Sequence, residues 1–222
     1  MYKRIIDIPF NSYNTSVNNS NINYKELVIN QNSKYGYAGE VWDGSLVFIY
    51  YLIKNKNKYK DIFKGKKIIE LGAGTGVCSL LIAALFDIQC IYITDLDKNV
   101  ELIDENIKIN KHLFYNKSIV SAGVDWTNVK SYENLNIKFD YIICCEIIYN
   151  ELLFKDIVNT IDYFYKKFYS NIIFSYTFRK EKEQDFFVMI KEHLNLKSSF
   201  IDKNEYDNQY CSDDINIIIM NN

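Results

Sequence analysis

The chain has 222 residues, is 48% hydrophobic and carries a net charge of −2. That length suits one domain with a sizeable core, and no apolar run approaches the length of a membrane span. The charge provides no broad cationic surface for gripping phosphates, so a nucleic-acid partner is disfavoured and a monomer free of membranes is expected.

The chain begins with a polar, asparagine-rich stretch, residues 1–34, which contains NSYNTSVNNSNINY. It is expected to be a loosely ordered extension that adds little to the core, although KELVIN could form a short strand. From Val41, VWDGSLVFIYYLIKNK predicts a helix with Leu46, Ile49, Tyr50 and Ile53 on one face. The lysine-rich stretch from Lys54 to Lys67 reads as a solvated connection. KKIIEL predicts a buried strand and TGVCSLLIAALFD a helix. IQCIYITDLD predicts a second strand and NVELIDENIKIN a helix. SIVSAGVDW and FDYIICCEIIY predict two more strands, and ELLFKDIVNTIDYFYKK a helix. NIIFSYTFR reads as a strand, EKEQDFFVMIKEHL as a helix and INIIIMN as a final strand. The strands are continuously apolar and alternate with helices, the pattern of a parallel α/β sheet covered on both faces. Ligands of such sheets bind beyond the carboxyl ends of the strands. His112 and His193 lie in lysine-containing helical segments and read as surface residues. The five cysteines, scattered without CxxC pairing beside only two histidines, give no zinc pattern, so no metal is expected. They point to a reducing compartment, the cytoplasm with the nucleus as a second location. The N-terminus shows no signal-peptide core.

Chemistry concentrates at the strand ends. Gly72, Gly74 and Gly76 alternate where the first strand turns into its helix. Glycine permits positive φ and lets a ligand lie against the main chain. The spacing is G-x-G-x-G, so the third glycine comes one residue earlier than in a dinucleotide fingerprint. Glu70 precedes the glycines, where a carboxylate would repel a pyrophosphate and suit an ammonium group. Asp95 ends the next strand, roughly 20 residues on, where an acid binds ribose hydroxyls. An ammonium, a ribose and no phosphate describe S-adenosylmethionine. Trp126, after the third strand, offers an indole to cover an adenine face. The plainer readings are a helix N-cap for Asp95 and rim packing for Trp126.

The same residues resemble a family. IIELGAGTG, ITDLD and VDWTN are similar to the first motif, the ribose-binding strand end and the Trp-bearing strand end of the seven-strand, class I methyltransferases, and within them of the family-16 protein-lysine methyltransferases. GEVWDGSLVFIYYL resembles the helix they place ahead of the first motif, CCEIIYNELLF their acid-x-x-aromatic signature, and YTFRKEKEQDFF the segment after their fifth strand. The resemblance runs from about Tyr37 to the C-terminus. It implies a Rossmann-like, doubly wound α/β sheet of seven strands, mostly parallel with one antiparallel strand near the C-terminus, in a catalytic domain over 35–222. It implies S-adenosylmethionine as cofactor, with Trp42, Glu70, Gly72, Ala73, Gly74, Gly76, Asp95, Trp126 and Cys145 around it. It makes a protein the substrate and a lysine its acceptor, with Glu146 and Tyr149 catalytic. Glu146 stands where aspartate is commoner, and Cys145 where a small residue is usual; Cys145 would neighbour the cofactor rather than act as nucleophile.

An amine attacks a sulfonium carbon only when unprotonated, so the site must orient it and strip its proton. Glu146 would orient the amine by hydrogen bonding, and Tyr149 would form an aromatic wall against water. The plainer alternatives are a helix-start charge for Glu146 and core packing for Tyr149, one of 19 tyrosines. Other functions stay open at this point: the same transfer to protein histidine, a small amine or RNA, or a cofactor-binding scaffold of weak activity. A nicotinamide oxidoreductase is disfavoured by the glycine spacing and Glu70. A nucleobase methyltransferase is disfavoured because Pro9 is the chain's one proline, which leaves no Pro-Pro motif.

Overall fold

A continuously apolar strand points successive side chains to opposite faces of a sheet, so both faces must be covered. The structure is a computed structural model and describes residues 1–10, 23–135, 137–179 and 181–221. Strands β1 (Tyr2–Phe10) and β2 (Asn23–Gln31) come first, then helices α1 (Asp43–Lys54) and α2 (Lys56–Ile62). Strand and helix then alternate through β3 (Lys67–Leu71), α3 (Val77–Leu85), β4 (Cys90–Asp95), α4 (Asp97–Ile109), β5 (Ser118–Gly123), α5 (Lys130–Glu133) and β6 (Tyr141–Cys145). The chain ends with α6 (Phe154–Phe168), β7 (Asn171–Thr177), α7 (Lys182–Leu194), β8 (Lys197–Phe200) and β9 (Ile215–Asn221).

The main sheet has the order β5-β4-β3-β6-β7-β9-β8. The pairs from β5 to β7 are parallel, and β9 runs antiparallel to both β7 and β8. This is the expected Rossmann-like, doubly wound sheet with one antiparallel strand near the C-terminus. Two cores cover its faces. Ile68, Ile93, Ile143 and Cys145 join the core that holds the buried residues of α1 and α3. Ile69, Leu71, Ile142 and Cys144, offset by one residue, join the core of α6 and α7. Strand order reverses at β3, whose neighbours β4 and β6 lead to opposite edges, and such a switch point opens a crevice at the strands' carboxyl ends.

Three segments differ from the sequence-based expectation. The lysine-rich connection contains α2, because Tyr59 turns inward and its hydroxyl meets that of Tyr51 at 2.9 Å. Strand β8 (KSSF) carries no apolar run, since it is a four-residue edge strand with mostly exposed side chains. The third is the N-terminus. Instead of forming a loosely ordered extension, β1 and β2 pair antiparallel as a hairpin. Ile6, Ile8, Leu27 and Ile29 are buried and belong to the core that includes α3. The low-complexity spacer, residues 11–22, lies outside the described residues.

Two asparagines from a distant part of the chain hold this hairpin down. Asn106 on α4 and Asn110 at its C-cap stand one turn apart, on the same helical face. Asn110 accepts from Val28 N at 2.9 Å and donates to Val28 O at 2.6 Å. Asn106 accepts from Asn30 N at 2.7 Å and donates to Asn30 O at 3.1 Å. Two side-chain amides thus supply the edge of β2 with the bonds another strand would give. Asn106 Nδ2 also donates to Thr75 O at 3.0 Å, which ties the hairpin to the glycine turn.

Asn106→Ala therefore leaves three buried backbone groups without partners, at about 1–3 kcal/mol each before relaxation. The expected loss of stability is roughly 3 kcal/mol by urea denaturation. A loss below about 1 kcal/mol would show that the hairpin contributes little to the fold.

Candidate active site

The turn from β3 to α3 forms the floor. Gly72, Gly74 and Gly76 all have positive φ, at 66°, 55° and 78°. At Gly72 a Cβ would stand 2.7 Å from Trp126 Cζ2 and 2.8 Å from Ile147 Cγ2, and at Gly74 one would stand 3.1 Å from the carbonyl oxygen of Ala38. The close neighbours that forbid side chains are therefore protein groups. Asp95, at the end of β4, receives Gly74 N at 2.7 Å on Oδ2, and Leu96 N at 2.8 Å and Asn99 Nδ2 at 2.6 Å on Oδ1. It braces the glycine turn and the start of α4 together. A carboxylate offers about four acceptor positions, so one remains on Oδ2.

A cavity of about 710 Å³ opens above this floor. Among its lining residues are Trp42, Gly72, Ala73, Gly74, Asp95, Trp126, Cys145, Glu146 and Tyr149. Nine of the expected site residues thus converge, from the ends of four strands and the start of α1.

Glu70 and Gly76 do not line it. Gly76 is the N-cap of α3. Glu70 is 1% exposed, and its Oε2 accepts from Ser79 N at 3.0 Å. The residue expected to meet an ammonium group instead holds the first turn of α3, because a strand residue one step from Leu71 points to the α3 side of the sheet. Burial, aided by the charge of Asp95, pushes its carboxyl up to about 7, against the opposing pull of Ser79. Glu70, Cys78 and Cys145 bring their carboxylate and sulfur atoms within 4.8 Å of one another. Burial pushes the thiols of both cysteines up, so Cys145 presents a neutral thiol to the cavity.

Glu146 terminates β6 in the left-handed region, with φ 56°. That conformation is strained for a side-chain-bearing residue and persists where the surroundings impose it. Gly44 N donates to Oε1 at 3.0 Å, the Thr177 hydroxyl donates to the same oxygen, and Arg179 Nη2 lies 2.8 Å from Oε2. One acceptor position is left, on Oε2. Beside it the rings of Tyr37, Trp42 and Tyr149 form the mouth, with centroids 5.8 Å apart for Tyr37–Trp42 and 6.2 Å for Tyr37–Tyr149. Trp42 is fixed by its Nε1–H to Tyr37 O at 2.8 Å. Tyr149 is 53% exposed.

Sequence reasoning missed Tyr37, Gly44, Asn99, Thr177 and Arg179. The last two carried a signal. Ser175 and Thr177 alternate at the end of β7, Arg179 keeps the same spacing two residues beyond it, and the Ser175 hydroxyl donates to Gly44 O at 2.7 Å. A polar S-x-T-x-R ladder at the end of an apolar strand marks one face that needs donors.

A sequence profile described as lysine methyltransferase matches residues 21–193. The chain belongs to the lysine methyltransferase family. Protein N-lysine methyltransferase METTL21A of Xenopus tropicalis is 32% identical over 171 residues, covering 76% of this chain and 74% of that protein. Protein-lysine methyltransferase METTL21E of Bos taurus is also 32% identical over 171 residues, covering 74% of this chain and 56% of that protein. Among solved structures, the methyltransferase domain of bacterial CtHen1 aligns with a TM-score of 0.56 at 15% identity, over 75% of this chain and 95% of that one. Magnesium protoporphyrin IX methyltransferase from Synechocystis, solved with bound S-adenosylmethionine, aligns with a TM-score of 0.52 at 14% identity, over 81% and 79%. At these identities the two structures speak for the shared fold.

The methyltransferase uses S-adenosylmethionine, and the residues present fit that group. The cavity volume lies in the range of small-molecule sites. Asn99 Oδ1 and Thr75 Oγ1, on residues that line it, are buried without a hydrogen-bond partner. Asp95 keeps one acceptor position, and two indoles flank the space. No helix among the described residues is long and apolar enough to cross a membrane.

The raised pKa of Glu70 makes a stability prediction. A carboxyl whose folded pKa exceeds its unfolded value of about 4.5 contributes stability below that value, and the contribution is lost as pH rises to about 7. Glutamine mimics the protonated form. Glu70→Gln should therefore gain on the wild type by roughly 2–3 kcal/mol between pH 5 and pH 8. Paired denaturation curves at the two pH values check this, and a constant difference between the proteins would contradict it.

Proposed function

We propose that this methyltransferase modifies the ε-amino group of a lysine in a protein substrate. The observation that carries the reading is the carboxylate with one unused acceptor position, set beside an aromatic mouth at the carboxyl edge of the sheet. An aromatic entrance suits a long aliphatic chain that ends in an amine, and cation–π attraction favours its arrival.

Bound S-adenosylmethionine would supply an electrophilic methyl carbon, whose transfer to the amine lone pair would leave the C–S bonding electrons on sulfur. Everything else falls to the chain. Asp95, with its remaining acceptor position, would hold the ribose hydroxyls, and Trp126 would cover the adenine. Gly72, Ala73 and Gly74 would present backbone to the donor, with Cys145 and Trp42 against it. Glu146 Oε2 would accept a hydrogen bond from the incoming amine and aim its lone pair. Tyr149 and Tyr37 would keep water from the amine, which lowers its affinity for a proton. The five cysteines are free, which supports a reducing compartment such as the cytoplasm or nucleus.

Radiolabelled donor added to a cell lysate tests the acceptor class. Label is expected in protease-sensitive, ribonuclease-resistant material and, after hydrolysis, in methyl-lysine. Label in methyl-histidine or RNA would overturn the lysine reading.

Asp95→Asn removes the charge while keeping an oxygen for the glycine turn. It should weaken S-adenosylhomocysteine binding by at least about tenfold in calorimetry, since hydrogen bonds to a charged acceptor contribute about 1.5–3 kcal/mol. Unchanged affinity would remove Asp95 from the ribose. Glu146→Ala should leave that affinity within a few-fold and lower turnover by about 100-fold, or roughly 2.7 kcal/mol of transition-state stabilisation. Wild-type turnover in this variant would return Glu146 to a purely structural part.

A further inference from the structure

The carboxylate proposed to aim the amine creates a chemical conflict. A lysine in water is an ammonium ion, with a pKa of about 10.4. An uncompensated carboxylate within about 4–6 Å raises such a pKa by roughly 1–3 units. Glu146 is 9% exposed, so little water screens it. Acting alone, it would trap the substrate as an ion pair and occupy the very lone pair that must attack.

Arg179 resolves the conflict. Its Nη2 lies 2.8 Å from Glu146 Oε2, while its own side chain is 36% exposed. A guanidinium stays charged at any working pH. The residue is anchored from behind: its backbone N–H donates to Glu183 Oε2 at 2.6 Å, and Glu183 is itself buried. The backbone therefore sets Arg179 at the end of β7 regardless of what occupies the cavity.

Among the described residues, Arg179 is the cation paired with Glu146. The charged residues lining the cavity are Glu40, Asp95, Lys98, Asp125, Glu146 and Arg179. From the elements packed around Glu146, α1 contributes Gly44 N–H and the acid Asp43, and β7 contributes Thr177 and Arg179. The segment after β6 contributes Tyr149 and an exposed Glu151–Lys182 pair whose charges answer each other. Asp95 lies across the cavity with its own three donors.

We infer that Arg179 is a positioning residue that neutralises Glu146, so that the carboxylate accepts a hydrogen bond from a neutral amine and does not bind lysine as an ammonium ion. The inference rests on the amine-orienting reading of Glu146. It assigns the chain's own means of keeping the nucleophile unprotonated to an ion pair between the ends of β6 and β7. The proton leaves to bulk water before the N–C bond forms, so Glu146 need not act as a base.

The test uses n-butylammonium as a probe of the lysine side chain, with S-adenosylhomocysteine present, at pH 7 by calorimetry. Arg179→Gln keeps a donor for Oε2 and removes the charge. It should bind n-butylammonium at least about tenfold more tightly than the wild type, since one pKa unit corresponds to that factor. Arg179→Met should give the same gain, Arg179→Lys should match the wild type, and the double variant Arg179→Gln/Glu146→Gln should lose the gain. On lysate protein at plateau rates, the acid limb of the Arg179→Gln pH profile should move up by about one unit. Equal probe affinity in wild type and Arg179→Gln, or none in either, overturns the inference. So does an Arg179→Gln rate that is lower by one factor at every pH. A wild type that labels no lysine is a different result, and it strikes the proposed function instead.

Discussion

The buried carboxylate of Glu146 is the constraint around which the site is assembled. It ends a central strand in a left-handed conformation and satisfies donors from two other elements, the first turn of α1 and the end of β7. Remove it and Gly44 N–H, Thr177 and Arg179 lose a common partner. The start of α1 also carries Trp42, whose ring Tyr37 O holds at the aromatic mouth. An acid here holds the fold together at the point where the proposed chemistry calls for one. That is why a helix-start charge and a catalytic acid are not rival descriptions, although the helix it serves is α1 and not the one that follows it in sequence.

The floor of the site follows a similar economy. Three positive-φ glycines let the chain leave β3 and enter α3 without steric penalty, and two of them are pressed by Trp126, Ile147 and Ala38. Trp126 is thereby held against the turn that forms the cavity floor. Asp95 ties that turn to α4, and Asn106 ties it to the N-terminal hairpin through Thr75. Rigidity of this kind matters for methyl transfer, where little covalent work is done and alignment carries most of the barrier reduction.

Two local readings missed where the structure places the residues. The N-terminal hairpin looks like a polar extension because asparagine is a poor strand former and carries no apolar pattern. Its isoleucines matter only because α4 offers Asn106 and Asn110 to a strand some 80 residues earlier in the chain, a pairing that no local window contains. Glu70 looks like a ligand group because it precedes the glycines. In the structure its carboxylate is buried against the first turn of α3, on the same side of the sheet as Cys145 and beneath the cavity lining.

By itself, the sequence determined the order of strands and helices along β3 to β7, the position of the glycine turn, and the acids and aromatics at the strand ends. Those features are local: hydrophobic period, a strand-to-helix transition and residue type at a fixed offset. The resemblance carried by the same residues also fixed the sheet's likeness and the donor. Tertiary structure alone decided which strand ends share a cavity, that Arg179 answers Glu146, that Glu70 holds the first turn of α3, and that the N-terminus belongs to the core. Each of these depends on atoms brought together from distant parts of the chain, and an ion pair or amide bridge gains its strength from burial, which only the packed sheet creates.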